Sequence, residues 1–137
     1  MTAADVAPTR PTVLDADVLI AHLNSDDAQH SRAVHRLELA AAQGPLAASG
    51  LTVAEVLVHP TAGGLGEQAY AALKAMDLMV LDIPADAAVQ LASLRARTGR
   101  RQPDCCVLLA AARTGGAVLT FYEKLRGSAA DLGISVC

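Results

Sequence analysis

TVLDADVLIAHL, residues 12–23, contains a short apolar strand that ends at Asp15 and passes directly into an apolar helix. GPLAASG followed by LTVAEVLVHP, residues 44–60, repeats this change from strand to helix, and QPDCCVLLAAARTGGAVLT, residues 102–120, runs from helix to strand. Strands that alternate with helices of about ten residues predict a parallel sheet covered by helices on both faces. The predicted fold class is therefore α/β.

The rest of the chain continues this alternation. Helices are predicted over residues 27–42 and 67–76 and from Asp86 to Gly99, with a strand over residues 78–84 and a last apolar stretch over residues 134–137. Pro60 is expected to end the helix of the LTVAEVLVHP segment, because proline has no N–H to continue the hydrogen bonding. A chain of 137 residues, 53% of them hydrophobic, can build one sizeable core. We expect a flexible N-terminus over residues 1–11 and a single domain over residues 12–137.

The composition argues against several classes of protein. Aromatic residues make up 2% of the chain and Trp is absent, which argues against nucleic-acid binders that stack bases on aromatic side chains. The three cysteines form neither a disulfide framework nor a metal-binding spacing such as CxxC, so reduced thiols are expected. The N-terminus lacks an apolar signal segment, and no apolar run approaches the ~18 residues of a membrane span. A cytoplasmic location is therefore expected.

Basic residues are unevenly distributed along the chain. The net charge of −3 gives no general attraction to nucleic acid, but seven of the 11 Lys and Arg residues follow residue 94. Four of these seven come shortly before Asp104, namely Arg95, Arg97, Arg100 and Arg101. They would form a local basic rim near Asp104, and a solvated helix face is an equally open interpretation.

Carboxylates stand where the predicted strands and helices meet. Asp15 directly follows the first strand, Asp17 comes two residues later, Glu55 lies in the helix after LAASG, and Asp104 opens the helix before AVLT. In open parallel sheets, ligands bind where the carboxyl ends of strands meet the amino ends of helices. Burying an unpaired carboxylate is costly, so a shared cation is an economical explanation for these acids. Carboxylate oxygens favour Mg²⁺ or Mn²⁺.

Each of these acids also has a simpler interpretation. Asp15 and Asp104 would each be suitable as a helix cap, and Glu55 would be satisfied by pairing with an Arg. Capping does not require an acid at Glu55, within an otherwise apolar segment. Taken together, the acids therefore favour a metal site over separate caps.

Four motifs occur in a fixed order, namely VLDADVLIAHL (13–23), LTVAEVLVHP (51–60), QPDCCVLLAAA (102–112) and GAVLT (116–120). This ordered set resembles the PIN-domain family, specifically a VapC-type toxin of a bacterial type II toxin–antitoxin pair, over nearly the whole chain from about residue 12. The resemblance implies a compact PIN-like parallel-sheet fold with helices on both faces. It also implies Mg²⁺- or Mn²⁺-dependent endoribonuclease activity, held in check by a small VapB-like antitoxin.

The resemblance assigns roles by position. Asp15, Glu55 and Asp104 match the three leading acids of the family and are the expected catalytic and metal-binding residues, with Asp17 as a further ligand. Thr120 matches the Thr that ends the last strand, where it would orient a water or simply bond to backbone. The expected contacts to RNA phosphates come from the basic residues named above, Arg95, Arg97, Arg100 and Arg101.

The fourth acid of the family motif is missing. The family pattern is T-x-D, whereas this chain has TFYE, so Tyr122 occupies the acidic position and Glu123 lies one residue further on. A displacement of one residue normally redirects a side chain. A weakened relative that binds RNA or an antitoxin without turnover is therefore the main alternative. A phospho-acceptor receiver domain is disfavoured, because no Lys follows AVLT before Lys124.

Two protein partners are expected. A mean hydropathy of +0.34 predicts exposed apolar helix surface, and hence a homodimer that uses the helices after Ser25 and Gly64. The antitoxin is expected to place a helix or extended segment in a groove beside the acids. A basic side chain of that segment would reach Asp15 or Asp104 and compete with the metal.

Overall fold

The computed structural model describes residues 10–137, which contain a four-stranded parallel sheet with helices on both faces. The strands are β1 (Thr12–Leu14), β2 (Leu46–Ser49), β3 (Met79–Leu81) and β4 (Ala117–Leu119), and they lie in the order β3-β2-β1-β4. Each neighbouring pair is parallel, so the predicted α/β class is confirmed. The N-terminus expected to be flexible falls mostly on residues 1–9, outside the described residues.

Helices connect the strands and cover the sheet. Within residues 10–137 they are α1 (Ala16–Leu23), α2 (His30–Gln43), α3 (Gly50–Ala62), α4 (Gly66–Ala75), α5 (Ala88–Thr98), α6 (Gln102–Thr114) and α7 (Glu123–Asp131), with a short 3₁₀ helix at Ala85–Ala87. No helix in this part of the chain has both the length and the apolar character needed to cross a bilayer.

The sheet separates two hydrophobic clusters. Successive residues of a strand point to opposite faces, so Val13 belongs to the cluster formed with α5, α6 and α7, and Leu14 to the one formed with α1 to α4. Both side chains are completely buried. β1 is therefore apolar on both faces because it lies inside the sheet, between β2 and β4, and Asp15 is the first polar residue where it ends.

Two helix ends differ from the prediction. α3 continues through Pro60 to Ala62, because in the last turn proline removes only the hydrogen bond of its own nitrogen. The Pro60 carbonyl accepts a hydrogen bond from the N–H of Leu65 at 2.7 Å, which closes the end of the helix. α2 begins at His30 rather than near Asp27, whose side chain accepts the N–H of Gln29 in a turn.

Other chain reversals agree with the sequence. Gly99 ends α5 in the left-handed conformation, with φ of 69°, as predicted. Gly116 begins the return to β4 at a close approach, where an added Cβ would collide with the carbonyl oxygen of Pro11. The last apolar stretch makes one parallel bridge, between Val136 and Val118, instead of a full strand.

Candidate active site

A cleft of about 740 Å³ opens at the carboxyl edge of the sheet. Because the strands are parallel, the segments that follow β1 and β4 meet there with α3 and the start of α6. The residues that line it are Asp15, Ala16, Asp17, Glu55, Gly99, Arg100, Arg101, Asp104, Phe121, Tyr122 and Lys124. All four acids singled out in the sequence thus lie on one cleft.

One side of the cleft, the bonded wall, consists of Asp15, Asp17, Thr120 and Phe121. The Thr120 hydroxyl donates to Asp15 Oδ2 at 2.6 Å and lies 3.4 Å from Asp17 Oδ2. The backbone N–H of Phe121 donates to the same Asp17 oxygen at 3.0 Å. The segment after β4 therefore fixes the orientation of both acids that follow β1.

Asp15 and Thr120 have more than one contact each. Asp15 Oδ1 accepts the N–H of Ala16 at 2.8 Å at the start of α1, so Asp15 caps this helix and also accepts from Thr120. Thr120 is only 1% exposed, and its oxygen accepts the N–H of Tyr122 at 3.0 Å. The Thr120 hydroxyl thus both donates and accepts a hydrogen bond within the protein, and it is buried away from the open cleft.

Asp17 is the acid of the site with a buried oxygen that lacks a hydrogen-bond donor. Its Oδ1 atom is buried and has no hydrogen-bond partner among the described residues. Burial, and to a lesser degree the nearby charge of Asp15, raise the pKa of Asp17 from 3.8 to about 6, against the opposing effect of the hydrogen bond from Phe121. A buried carboxylate oxygen without a donor is a position that a cation would satisfy.

The opposite side, the free wall, consists of Glu55 on α3 and Asp104 on α6. Neither side chain makes a hydrogen bond or an ion pair with another residue of the described chain. Burial raises the pKa of both acids, and the charge of Asp15 raises it further in each case. The charge of Arg101 lowers the pKa of both acids, although Arg101 forms no ion pair with either of them.

Asp104 does not cap its helix. The N-cap position of α6 is Arg101, no side-chain capping hydrogen bond is formed there, and Asp104 follows in the first turn. The helix-cap interpretation therefore describes Asp15 and not Asp104. The position of Asp104 at the amino end of α6 still favours a negative charge through the helix dipole.

The basic residues predicted for RNA contacts divide into two pairs. Arg100 and Arg101 line the cleft, whereas Arg95 and Arg97 lie in the last turn of α5, are exposed and do not line it. The left-handed turn at Gly99 separates the two pairs. Lys124 also lines the cleft and was missed in the sequence. Its position four residues after Thr120, at the start of α7, is the signal that would have found it.

Tyr122 and Glu123 take different directions. Tyr122 lines the cleft, and its hydroxyl accepts a hydrogen bond from Arg100 at 3.1 Å. Glu123 begins α7, its side chain is 83% exposed, and its carboxylate lies 3.8 Å from Arg126 Nε. Glu123 therefore does not replace the acid that the family has at position 122.

The chemistry of the cleft suits a hard divalent cation. Within residues 10–137, no three His, Cys, Asp or Glu side chains are close enough, as arranged, to hold a metal ion. Four carboxylates nevertheless share the cleft, one has an unsatisfied buried oxygen, and three have a pKa raised in part by a neighbouring acid. A cation would relieve this repulsion, and carboxylate oxygens are the ligands that Mg²⁺ and Mn²⁺ prefer.

Comparisons with solved structures support the PIN-like fold. A toxin–antitoxin complex from Klebsiella pneumoniae contains a chain with a TM-score of 0.66 and 24% identity, over 82% of this chain and 88% of that one. VapBC2 from Rickettsia felis, bound to a DNA fragment from its promoter, contains a chain with a TM-score of 0.73 and 16% identity, over 93% and 97%. At these identities the likeness shows a shared fold.

Sequence comparisons address the family directly. A comparison with curated protein sequences gives no match. The PIN domain family profile matches residues 12–127, which include all four acids of the cleft and every strand of the sheet. This match covers most of the chain and agrees with the order of motifs, so the protein belongs to the PIN domain family.

Proposed function

We propose that the protein is a metal-dependent endoribonuclease toxin of a VapBC-type pair, which cleaves RNA phosphodiesters with carboxylate-bound Mg²⁺ or Mn²⁺. The observation that carries this proposal is the meeting of four carboxylates and three cationic side chains in one cleft of a PIN fold. Carboxylates are suited to a divalent ion, and the cationic side chains to the phosphates of RNA.

The roles follow from the two walls. Asp15, Asp17, Glu55 and Asp104 would hold the ion, and Thr120 would keep Asp15 and Asp17 oriented. A bound divalent ion supplies a water of lowered pKa and positive charge that offsets the charge developing on the phosphodiester.

Cationic side chains of the cleft would bind the RNA. Arg101 and Lys124 line the cleft, are exposed and would contact phosphates on either side of the cleaved bond. For Arg95 and Arg97, which lie outside the cleft, the proposed role is a weaker contact with RNA further from that bond.

Asp104→Asn tests the metal site. Asp104 makes no capping hydrogen bond, so this substitution should leave the stability of the fold nearly unchanged. It should weaken Mn²⁺ binding by about 10–100-fold, measured by calorimetric titration, and it should abolish RNA cleavage. Asp131→Asn, which removes an exposed acid at the end of α7, is the matched control. Unchanged Mn²⁺ affinity in Asp104→Asn would defeat the metal site.

Tyr122 favours a second function, an RNA- or antitoxin-binding protein whose turnover is weakened. Tyr122→Asp restores the acid of the family pattern at a position that lines the cleft. It should tighten Mn²⁺ binding and raise cleavage above the wild-type rate. If only Tyr122→Asp cleaves RNA while the wild type binds it, the weakened function is correct. If the wild type cleaves and Tyr122→Asp is no faster, the second function is excluded.

An antitoxin is the proposed protein partner, as in the two solved toxin–antitoxin complexes. A mainly apolar groove of about 560 Å³ lies between α1, α3 and α4. Glu55 lines both this groove and the acidic cleft, so a segment seated in the groove would reach the acids. Ile20 and Leu65 line it and are 43% and 58% exposed, which leaves apolar surface for a partner helix.

Ile20→Glu tests this groove. The protein would be co-expressed with a VapB-like antitoxin, and their co-purification measured. Ile20→Glu should abolish co-purification, because a charge would be buried in the interface. The control Val89→Glu changes a side chain on α5 that is 81% exposed and outside the groove, and should have no effect. Equal retention of both variants would count against the groove.

A homodimer is proposed as a separate association. Exposed apolar side chains on the two predicted helices include Leu39 on α2 and Tyr70 on α4, at 50% and 39% exposure. Light scattering at micromolar concentration should report twice the mass of the chain, and a monomer would contradict this proposal.

A further inference from the structure

We propose that Tyr122 positions Arg100, one of the arginines expected to contact RNA, so that its guanidinium group binds a phosphate inside the acidic cleft. This inference rests on the proposed function, because it takes RNA as the ligand. It gives Tyr122 a function of its own at the position where the family has an acid. Arg100 would touch the substrate, and Tyr122 would act through Arg100 as a positioning residue.

The backbone of Arg100 is held on both sides. Its N–H donates to Thr98 Oγ1 at 3.1 Å, at the end of α5, and its carbonyl oxygen accepts from the Cys105 thiol at 3.5 Å, in α6. Gly99, in the left-handed conformation, turns the chain between these two contacts. The Arg100 side chain therefore starts from a fixed point at the rim of the cleft.

The guanidinium group of Arg100 has N–H donors that form no hydrogen bond with the described residues. One terminal nitrogen donates to the Tyr122 hydroxyl at 3.1 Å, and the group lies 6.0 Å from the centre of the Tyr122 ring. The Nε atom is buried and has no hydrogen-bond partner among the described residues. Arg100 also forms no ion pair with any acid of residues 10–137. A guanidinium carries five N–H donors in a planar fork that matches phosphate oxygens.

Tyr122 orients Arg100 without neutralising it. A carboxylate that accepted a hydrogen bond from Arg100 would also form an ion pair and offset its positive charge. The tyrosine hydroxyl accepts the hydrogen bond while neutral, so the full charge of Arg100 stays available. Arg101 differs, because it is the stronger of the two arginines in lowering the pKa of Asp104 and also lowers that of Glu55. Arg101 thus has the greater influence on the acids, whereas Arg100 acts on Asp104 more weakly and keeps guanidinium N–H donors for a ligand.

The test is binding of a fluorescent 2′-O-methyl RNA oligonucleotide, followed by anisotropy over a range of salt concentrations, in Mg²⁺ and in EDTA. Arg100→Gln should weaken binding several-fold and lower the slope of log affinity against log salt by about one. Arg97→Gln removes the same charge from an exposed site outside the cleft and should have a smaller effect. Arg100→Lys keeps the charge without the fork and should bind with intermediate affinity and a wild-type slope.

Tyr122→Phe tests the positioning role, because it removes only the hydroxyl that Arg100 contacts. Made alone, Tyr122→Phe should weaken RNA binding. Made together with Arg100→Gln, it should weaken RNA binding no further than Arg100→Gln does alone. An equal effect in both backgrounds would mean that Tyr122 contacts RNA itself and would overturn the inference. The inference would also be overturned if Arg100→Gln bound RNA as tightly as Arg97→Gln. The same holds if the wild type bound no oligonucleotide, either in Mg²⁺ or in EDTA.

The failure of this inference is distinguishable from that of the proposed function. Binding that depends on Arg100, in a protein that never cleaves RNA with Mg²⁺ or Mn²⁺, would defeat the nuclease and support the inference. If RNA cleavage depended on Asp104 but RNA affinity did not change when Arg100 was substituted, the nuclease would be supported and the inference overturned.

Discussion

The acids on the two sides of the cleft are held by different means. Asp15 and Asp17 accept hydrogen bonds from Thr120 and Phe121, which lie more than 100 residues away in the chain and adjacent in the sheet. Glu55 and Asp104 lie on helices and accept none from the described residues. The carboxylates of the bonded wall are therefore fixed by hydrogen bonds from the segment after β4, whereas no hydrogen bond from the described residues fixes those of the free wall. An ion bound in the cleft would give Glu55 and Asp104 the partner that the described chain does not provide.

Asp15→Ala compared with Asp104→Ala should show the largest difference in stability. Removing Asp15 takes away the cap of α1 and leaves the buried Thr120 hydroxyl without its acceptor, which together should cost about 2–3 kcal/mol. Asp104→Ala should stay within about 0.5 kcal/mol of the wild type. Urea unfolding at pH 7 without divalent ions measures both. Equal losses would remove the distinction between the two walls.

Thr120→Val should have the next largest effect. It removes the hydroxyl that donates to Asp15 and accepts from the Tyr122 backbone, and it should destabilise the protein by about 1–2 kcal/mol. Thr120→Ser keeps the hydroxyl and is the matched control. If both substitutions destabilise equally, the lost methyl packing and not the hydrogen bonding holds the bonded wall together.

Asp17→Asn should change how stability depends on pH. The raised pKa of Asp17, about 6 against 3.8, means that the folded protein binds more protons than the unfolded chain between these two values. The free energy of unfolding therefore falls as pH rises through this window. Asp17→Asn should be more stable than the wild type at pH 7.5 by about 1 kcal/mol, a figure reduced for partial exposure.

The same variant compared at low pH provides the control. Below about pH 3 the carboxyl group is almost fully protonated in both states, so the advantage of Asp17→Asn should disappear there. Urea unfolding at several pH values measures this. An advantage that does not vary with pH would show that charge at Asp17 is not its cause.

Glu55→Gln should have the smallest effect on stability. Glu55 makes no hydrogen bond to be lost, and its raised pKa shows that burial and the charges of Asp15 and Asp104 disfavour its ionised form. The variant should lie within about 0.5 kcal/mol of the wild type, on the stabilised side, while it binds Mn²⁺ more weakly. A clear loss of stability would place Glu55 with the bonded wall.

The sheet and the meeting of the acids could be predicted from the sequence. TVL and AVLT are continuous apolar runs because inner strands of a parallel sheet are buried on both faces, and a polar residue directly after such a run lies at the sheet edge. Asp15 was found by this rule, whereas Thr120 was assigned from the family motif that ends the last strand. Glu55 and Asp104 were singled out at the predicted junctions of strands and helices, and their roles as ligands came from the order of the family motifs, since a lone acid on a helix has no comparable signal.

Other features depended on packing that a sequence pattern does not carry. The hydrogen bond from Phe121 to Asp17 uses a backbone N–H, which every residue except proline has. The contact between Arg100 and Tyr122 spans 22 residues and arises only once α6 and β4 are packed. Pro60 was expected to end α3, because the sequence did not reveal that Leu65 would satisfy its carbonyl from beyond the helix.

The sheet order also governs when the cleft can exist during synthesis. β1 emerges from the ribosome first, but it lies between β2 and β4, and its acids are oriented by residues 103–105 positions later. A nascent chain that has not yet released Thr120 contains Asp15 and Asp17 without the partners that align them. A protein proposed to cut RNA thus acquires its complete bonded wall only after Thr120 and Phe121 have left the ribosome. Contacts of such long sequence separation also form late and slowly in folding.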